Sequence, residues 1–357
     1  MADSFPQTPA GPLSGIKVVE LAGMGPGPHA AMLLADLGAE VTRVQRPGGA
    51  GGGAQLRGRR ILVADLKDAA DLNDVRHLID EADVLIEGFR PGVTERLGLG
   101  SDECFSRNAG LVYTRITGWG QTGPRAQQAG HDINYIGLTG LLHAIGDPDR
   151  PPAPPLNLVG DYGGGSLFAV VGVLAALLER HASACGQVID AAIVNGAPML
   201  AHVLWAMLGD GQWSDARGAN IFDGSAPFYR TYGCADGGYV AVGALEPEFF
   251  AELLRLLEID PDTLGPQRER AGWPAMRDAL SDKFRTETRD HWSRVFTDSD
   301  ACVTPVLTAS EAMHDPQLRA RNVFVDVDGV RQPAPAPHFS RTPAALPLPA
   351  RPASRSR

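Results

Sequence analysis

The regular alternation of short apolar runs with helix-patterned stretches across the first 193 residues limits the folds open to this chain more than any other feature. Runs at 16–21, 40–44, 61–66, 83–86, 111–116 and 187–193 read as strands. Between them, 30–37 and 69–81 have helical spacing, and two long helices are expected over 131–144 and 166–181. Parallel neighbours need crossover connections, so the pattern predicts an α/β fold with a mostly parallel sheet covered on both faces.

The pattern changes after 194. A long helix is expected over 195–208, a strand over 239–243, and an amphipathic helix over 247–258 with Phe249, Phe250, Leu253, Leu254 and Leu257 on one side. Short helices follow within 273–296, and a last strand at 323–330. A chain of 357 residues also exceeds the usual size of one core. The expected division is a large domain begun by 1–194, a linker helix over 195–220, a smaller α+β domain over 221–307, and a return segment and tail over 308–357 that rejoin the large domain. From Gln332 the chain is rich in Pro, Ala and Arg and is expected to be extended or disordered; Gly48–Gly53 reads as a flexible surface loop.

Composition excludes several classes. A formal net charge of −10 argues against general nucleic-acid binding. Cys104, Cys185, Cys234 and Cys302 form no CxxC pair, which fits a reducing compartment better than a disulfide framework or a zinc site. The opening residues lack the pattern of a signal peptide, the apolar run 167–178 is too short for a bilayer, and SRSR is not a peroxisomal address. A cytoplasmic protein without a membrane span is expected.

Gly25-Pro26-Gly27-Pro28-His29-Ala30 fits the dinucleotide-binding pattern in spacing. Its physics does not fit. The pattern works through backbone N–H groups aimed at a pyrophosphate, and Pro26 and Pro28 have none. Gln45 stands where an acid should hold the ribose. A tight strand-to-helix turn is the better reading.

Three segments place ionisable residues beside glycines or helix starts: Gly130-His131-Asp132, Gly160-Asp161 ahead of Gly163-Gly164-Gly165, and Glu246-Pro247. Capping accounts for each on pattern alone, with Asp132, Asp161 and Glu246 in the first turns of helices. Catalysis would instead use His131 as an acid–base group. The glycines behind Asp161 weaken the capping reading, since each costs a helix about 1 kcal/mol relative to Ala. They are easier to explain if something bulky approaches that backbone. Met24, Met199, Trp205 and Met207 could line an apolar channel, but core packing is the ordinary role for most such residues.

The segments GWGQTGPRAQQAGHDINY (from Gly118), NLVGDYGGGS (from Asn157) and VGALEPEFF (from Val242) resemble the α-methylacyl-CoA racemases. So do LSGIKVVELAGMGPGPHAAMLLADLGAEVTRV from Leu13 and FRPGVTERLGLG from Phe89, and the likeness runs to about Ser340. GHDINY and GDYGGG set this group apart within the family III CoA-transferase superfamily. The resemblance implies an interleaved homodimer, each subunit with a large Rossmann-like domain and a small one, and a site shared between subunits. The implied substrate is a 2-methyl-branched acyl-CoA, interconverted between (2R) and (2S) forms by 1,1-proton transfer through an enolate. Neither metal nor redox cofactor is implied, and CoA arrives as part of the substrate. Carried over residue by residue, His131 matches the base, Asp161 its carboxyl partner and Glu246 the acid that pairs with the histidine; Asp132 and Asn157 match supporting polar residues. CoA-binding positions fall on Arg43, Ala64, Lys67, Arg90, Arg96 and Gly130, although surface solvation is the ordinary role for any one such Arg or Lys.

Two other readings stand beside this one. A family III CoA-transferase would use Asp161 as a nucleophile, but would not need His131 as a second base opposite. A non-catalytic CoA-binding module would not need His131, Asp161 and Glu246 together.

Overall fold

The protein is described from a computed structural model covering residues 11–49 and 53–353. It comprises two compact units. The first takes the chain up to Thr139, then Pro155–Ala201, and then the chain from Pro316 onward; the second takes Gly140–Pro154 and His202–Asp315. The segment Gly140–Pro154, expected in the first domain, thus belongs to the second unit.

In the first unit, strands β1 (Lys17–Leu21), β2 (Glu40–Gln45), β3 (Arg59–Val63), β4 (Val84–Glu87), β5 (Val112–Thr117) and β6 (Gln187–Ala192) pair in parallel. Helix α1 (Pro26–Asp36) joins β1 to β2, α2 (Ala69–Asp80) leads into β4, and α3 (Val93–Arg96) and α4 (Ser101–Arg107) lead into β5. Adjacent strand residues point to opposite faces. Val18 therefore packs with Val41, Val84 and Val112 in one core layer, while Val19, Val44, Leu85 and Tyr113 share the other with Val75 and Ile79 of α2.

The remaining strands are short and lie outside this succession. In the second unit, β7 (Tyr229–Gly233), β8 (Tyr239–Gly243) and β9 (Val303–Pro305) form an antiparallel sheet. The strand expected over 323–330 is a hairpin of β10 (Phe324–Val327) and β11 (Val330–Pro333). The tail is extended but docked. Its β12 (Arg351–Pro352) adds a seventh, parallel strand beside β3, at the edge where proline is tolerated.

The long helices expected from periodicity are interrupted for visible reasons. The stretch 131–144 becomes α5 (Asp132–Leu138) and α6 (Leu141–Ala144), separated by Gly140 with φ 83°. A π-helix, Leu158–Leu167, precedes α7 (Phe168–Ser183). Together they make a helical run of 26 residues that is long and apolar enough to cross a membrane by length and composition alone, longer than the sequence run suggested. Here Ala169, Val170, Val173, Ala176 and Leu177 lie in the core, and Arg180 donates to Gly110 O and Asp83. The helix expected over 195–208 is two helices, α8 (Ile193–Leu200) with Pro198 inside it and α9 (His202–Gly209). The second unit continues with α10 (Pro247–Leu256), α11 (Trp273–Phe284) and α12 (Arg289–Val295). The Gly48–Gly53 loop lies partly outside the described residues, as do the last four of the chain.

Candidate active site

The strand order β3-β2-β1-β4-β5 reverses direction between β1 and β4. Connections leave these two strands on opposite sides, so a crevice opens outside their carboxyl ends. A cavity of about 450 Å³ occupies that place, lined by Leu21 at the end of β1 and Gly23–Gly27 after it, by Glu87 at the end of β4 and Gly88–Pro91 after it, and by Gly118, Trp119, Gly130, His131, Tyr135 and Asp161. A larger cavity of about 790 Å³ lies within the second unit and includes none of the expected site residues.

The turn after β1 is the tight one expected. Gly25 has φ 68° and Pro26 opens α1. A Cβ on Gly25 would stand 3.0 Å from Asp161 Oδ2, so the turn and this carboxyl are in close approach.

Capping explains less of the site than pattern alone allowed. His131 takes the N-cap position of α5, and its backbone N–H donates to Asn134 Oδ1 at 3.0 Å. Asp132, expected as a cap, is buried, and its Oδ2 accepts the Asp161 N–H at 2.7 Å. Its Oδ1 is buried without a hydrogen bond. Asp161 lies in the first turn of the π-helix, whose N-cap is Asn157, in a helix form often found at functional sites. Burial, and then the neighbouring Asp132, push its carboxyl above the ordinary value; a hydrogen bond from Asn157 and the His131 ring act in the opposite direction.

The glycines around Asp161 serve close packing by the protein itself. A Cβ on Gly160 would meet Asp132 Oδ2 at 2.5 Å, and one on Gly164 would meet Ala197 N of α8 at 2.6 Å. The bulky neighbour that the sequence called for is the backbone of α8 and the Asp132 carboxylate.

Glu246 belongs to the second unit. It is exposed at the N-cap position of α10, and its side chain makes no capping bond. Of the expected CoA contacts, Arg90 and Gly130 line the cavity with His131 and Asp161. Lys67 and Arg96 are exposed beyond it. Arg43 and Ala64 are buried; Arg43 pairs with Glu20 and donates to Gly23 O at 3.3 Å. The apolar residues expected mainly in the core are elsewhere: Met24, Met199 and Trp205 are exposed, and Met24 lines the cavity.

Two cavity residues escaped the reading of roles. Tyr135 donates its hydroxyl to Gly130 O at 2.5 Å and meets Trp119 edge-on at 4.7 Å. Glu87, the last residue of β4, is buried and pushed up to about 7, chiefly by burial. The signal for Glu87 was slight: an acid ending the apolar run Val-Leu-Ile-Glu, directly before Gly88 and Phe89.

Fold and site together define an α/β enzyme with an imidazole and a carboxyl shifted above its ordinary value on one cavity. Residues 13–355 match the CoA-transferase family III, and the chain belongs to that family. It is 47% identical over 333 residues to the alpha-methylacyl-CoA racemase of Mus musculus, across 93% of this chain and 87% of that protein. It is 44% identical over 334 residues to the protein of the same name from Homo sapiens, with 93% and 87% covered. The crystal structure of a CAIB/BAIF family protein from Brucella suis matches with a TM-score of 0.81 at 29% identity, covering 94% of this chain and 95% of that one.

Proposed function

We propose that this chain is an isomerase that interconverts the (2R) and (2S) epimers of 2-methyl-branched acyl-CoA thioesters. The observation that carries the proposal is that His131 and Asp161 open on one cavity, in a chain similar over almost its whole length to two α-methylacyl-CoA racemases.

For one epimer, neutral His131 removes the C2 proton, and the C–H electron pair moves into an enolate on the thioester oxygen. Protonated Asp161 then delivers its proton to the opposite face of C2, and the other epimer uses the reverse assignment. An acid in this role must keep its proton near neutral pH, and the burial and Asp132 charge around Asp161 support that. Backbone N–H groups at the start of α5 are suitable donors to the enolate oxygen, each worth roughly 10²–10³ in rate in such sites. In the proposed site Asp132 holds the Asp161 backbone, Asn157 the Asp161 carboxyl, and Arg90 and Gly130 take the CoA portion. These transfers need only side chains and substrate.

The proposed assembly is a homodimer in which Glu246 of a second copy orients the His131 ring, as a triad acid orients its histidine. Helix α9 supports association: it is apolar, contains no buried residue, and exposes Val203, Trp205 and Leu208.

The test uses a single epimer of a 2-methylacyl-CoA in D₂O, followed by mass and stereochemistry. Deuterium at C2 in both epimers is expected. Transfer of CoA to an added free acid, with C2 still protiated, would overturn the racemase reading in favour of a transferase.

A further inference from the structure

The loop from Gly88 to Gly92 brings Arg90 to the cavity, and little else in the loop is anchored by its own regular structure. Gly92 is left-handed, with φ 83°, and Val93 N–H donates back to Arg90 O at 3.1 Å. Gln127 donates to Pro91 O at 3.0 Å. The Phe89 ring packs against the buried core behind the sheet. The remaining tie comes from Glu87, whose Oε2 accepts the Phe89 N–H at 2.7 Å.

Glu87 is a costly residue for that position. Its side chain is 2% exposed, and burying a carboxylate without a close cation is unfavourable. The nearest guanidinium, on Arg115, has its Nε 3.8 Å from Oε1 and is engaged by Glu95 at 2.5 Å and Gln121 at 2.9 Å. Arg115 therefore braces Glu87 without covering its bond to Phe89. An apolar residue would satisfy the core at this site, but it would leave the Phe89 N–H without its acceptor.

We propose that Glu87 is a positioning residue for CoA binding: its carboxylate ties the Phe89 amide and thereby fixes the loop that presents Arg90 to the cavity. The proposal rests on the reading of this cavity as an acyl-CoA site. Glu87 acts through Arg90 and takes no part in moving the C2 proton.

The experiment is a double-mutant cycle on the full chain, read by calorimetric binding of CoA itself and by the split between KM and kcat in deuterium exchange. Glu87→Ala should weaken CoA binding by about tenfold, the scale of one lost charge-assisted hydrogen bond. The change should appear in KM far more than in kcat. Glu87→Gln retains an acceptor oxygen and should recover most of the loss. Glu87→Ala combined with Arg90→Ala should bind CoA no worse than Arg90→Ala alone, because one residue acts through the other. Glu87→Leu, close in volume and better suited to a core, replaces Glu87→Ala if that chain does not fold. Wild-type CoA affinity in the Ala or Leu variant, fully additive losses, or a fall in kcat at unchanged KM would each overturn the proposal. A wild-type chain that neither binds CoA nor exchanges C2 would overturn the site reading and this inference together. Failure of the cycle alone leaves the racemase reading standing.

Discussion

Inside the first unit Glu20, Asp36, Arg43, Arg57, Arg59, Glu87, Arg115 and Asp132 are all buried, while in the second unit the buried polar residue is Asn220. There the interior is apolar, with the rings of Phe228, Tyr232, Phe250, Trp273, Phe284, Trp292 and Phe296 set among aliphatic residues such as Val240, Leu253 and Leu280. Buried ion pairs seldom stabilise a fold as well as apolar residues of equal volume. The first unit's charges hold backbone instead. Arg43 donates to Gly23 O and Arg59 to Pro28 O, two carbonyls flanking the turn beside Asp161, and Arg57 ties Asp36 to Pro333 O near the returning tail. Around the turn beside Asp161 the chain accepts buried charge, while the interior of the second unit is apolar and rich in aromatic rings.

The largest expected effect tests whether the second unit is scaffold alone. Asp161→Ala should cut exchange by about 10²–10⁴, the usual range for a general acid–base group. If Glu246 also serves the site, Glu246→Ala should be severely impaired as well. Mixed Asp161→Ala and Glu246→Ala subunits should then regain activity, because one site of the heterodimer can collect both intact residues. Confirmed heterodimers that stay inactive would remove the shared site and leave the second unit as support.

A middle-sized effect tests the aromatic core. Phe284 is fully buried, stacks on Tyr232 at 5.1 Å and meets Trp292 at 5.4 Å. Phe284→Ala should cost roughly 3–5 kcal/mol by denaturant unfolding. A loss below about 1 kcal/mol, the scale of a volume-conserving swap, would mean that the ring cluster collapses around the gap and is less rigid than its packing implies.

Legibility followed the same divide between local and distant causes. Central strands such as Lys17–Leu21 and Val84–Glu87 could be read because strands buried on both faces need near-continuous Val, Ile and Leu. β7, with the sequence Tyr-Arg-Thr-Tyr-Gly, carries no such run and was missed. The π-helix was unreadable because its three consecutive glycines answer to α8, some thirty residues further on. His131, Asp161 and Glu246 stood out by pattern beside glycines and helix starts, where capping accounted for each, and the resemblance supplied their roles. Glu87 carried little signal because its burial comes from the strands on either side, β1 and β5.

The smallest expected effect asks whether charge buried beside the cavity costs stability. Burial raises Glu87 from an ordinary 4.5 to about 7, although the Phe89 N–H and Arg115 of β5 favour its ionised form; Glu95 of α3 opposes it, and the Tyr113 ring also lies near. The folded chain therefore holds this proton more tightly than the unfolded chain does. Its contribution is fully present below about 4.5 and is lost as pH rises through about 7. At 1.36 kcal/mol per pKa unit, the loss across that window is at most about 3 kcal/mol. Glu87→Gln cannot ionise, so urea unfolding measured from pH 5 to pH 8 should show the variant gaining on wild type with a slope confined to that range. Other groups titrate in both proteins and cancel in the difference. Parallel profiles would show that Glu87 is relieved by its neighbours after all, and that the first unit's buried charge is less costly than the contrast with the aromatic unit implies.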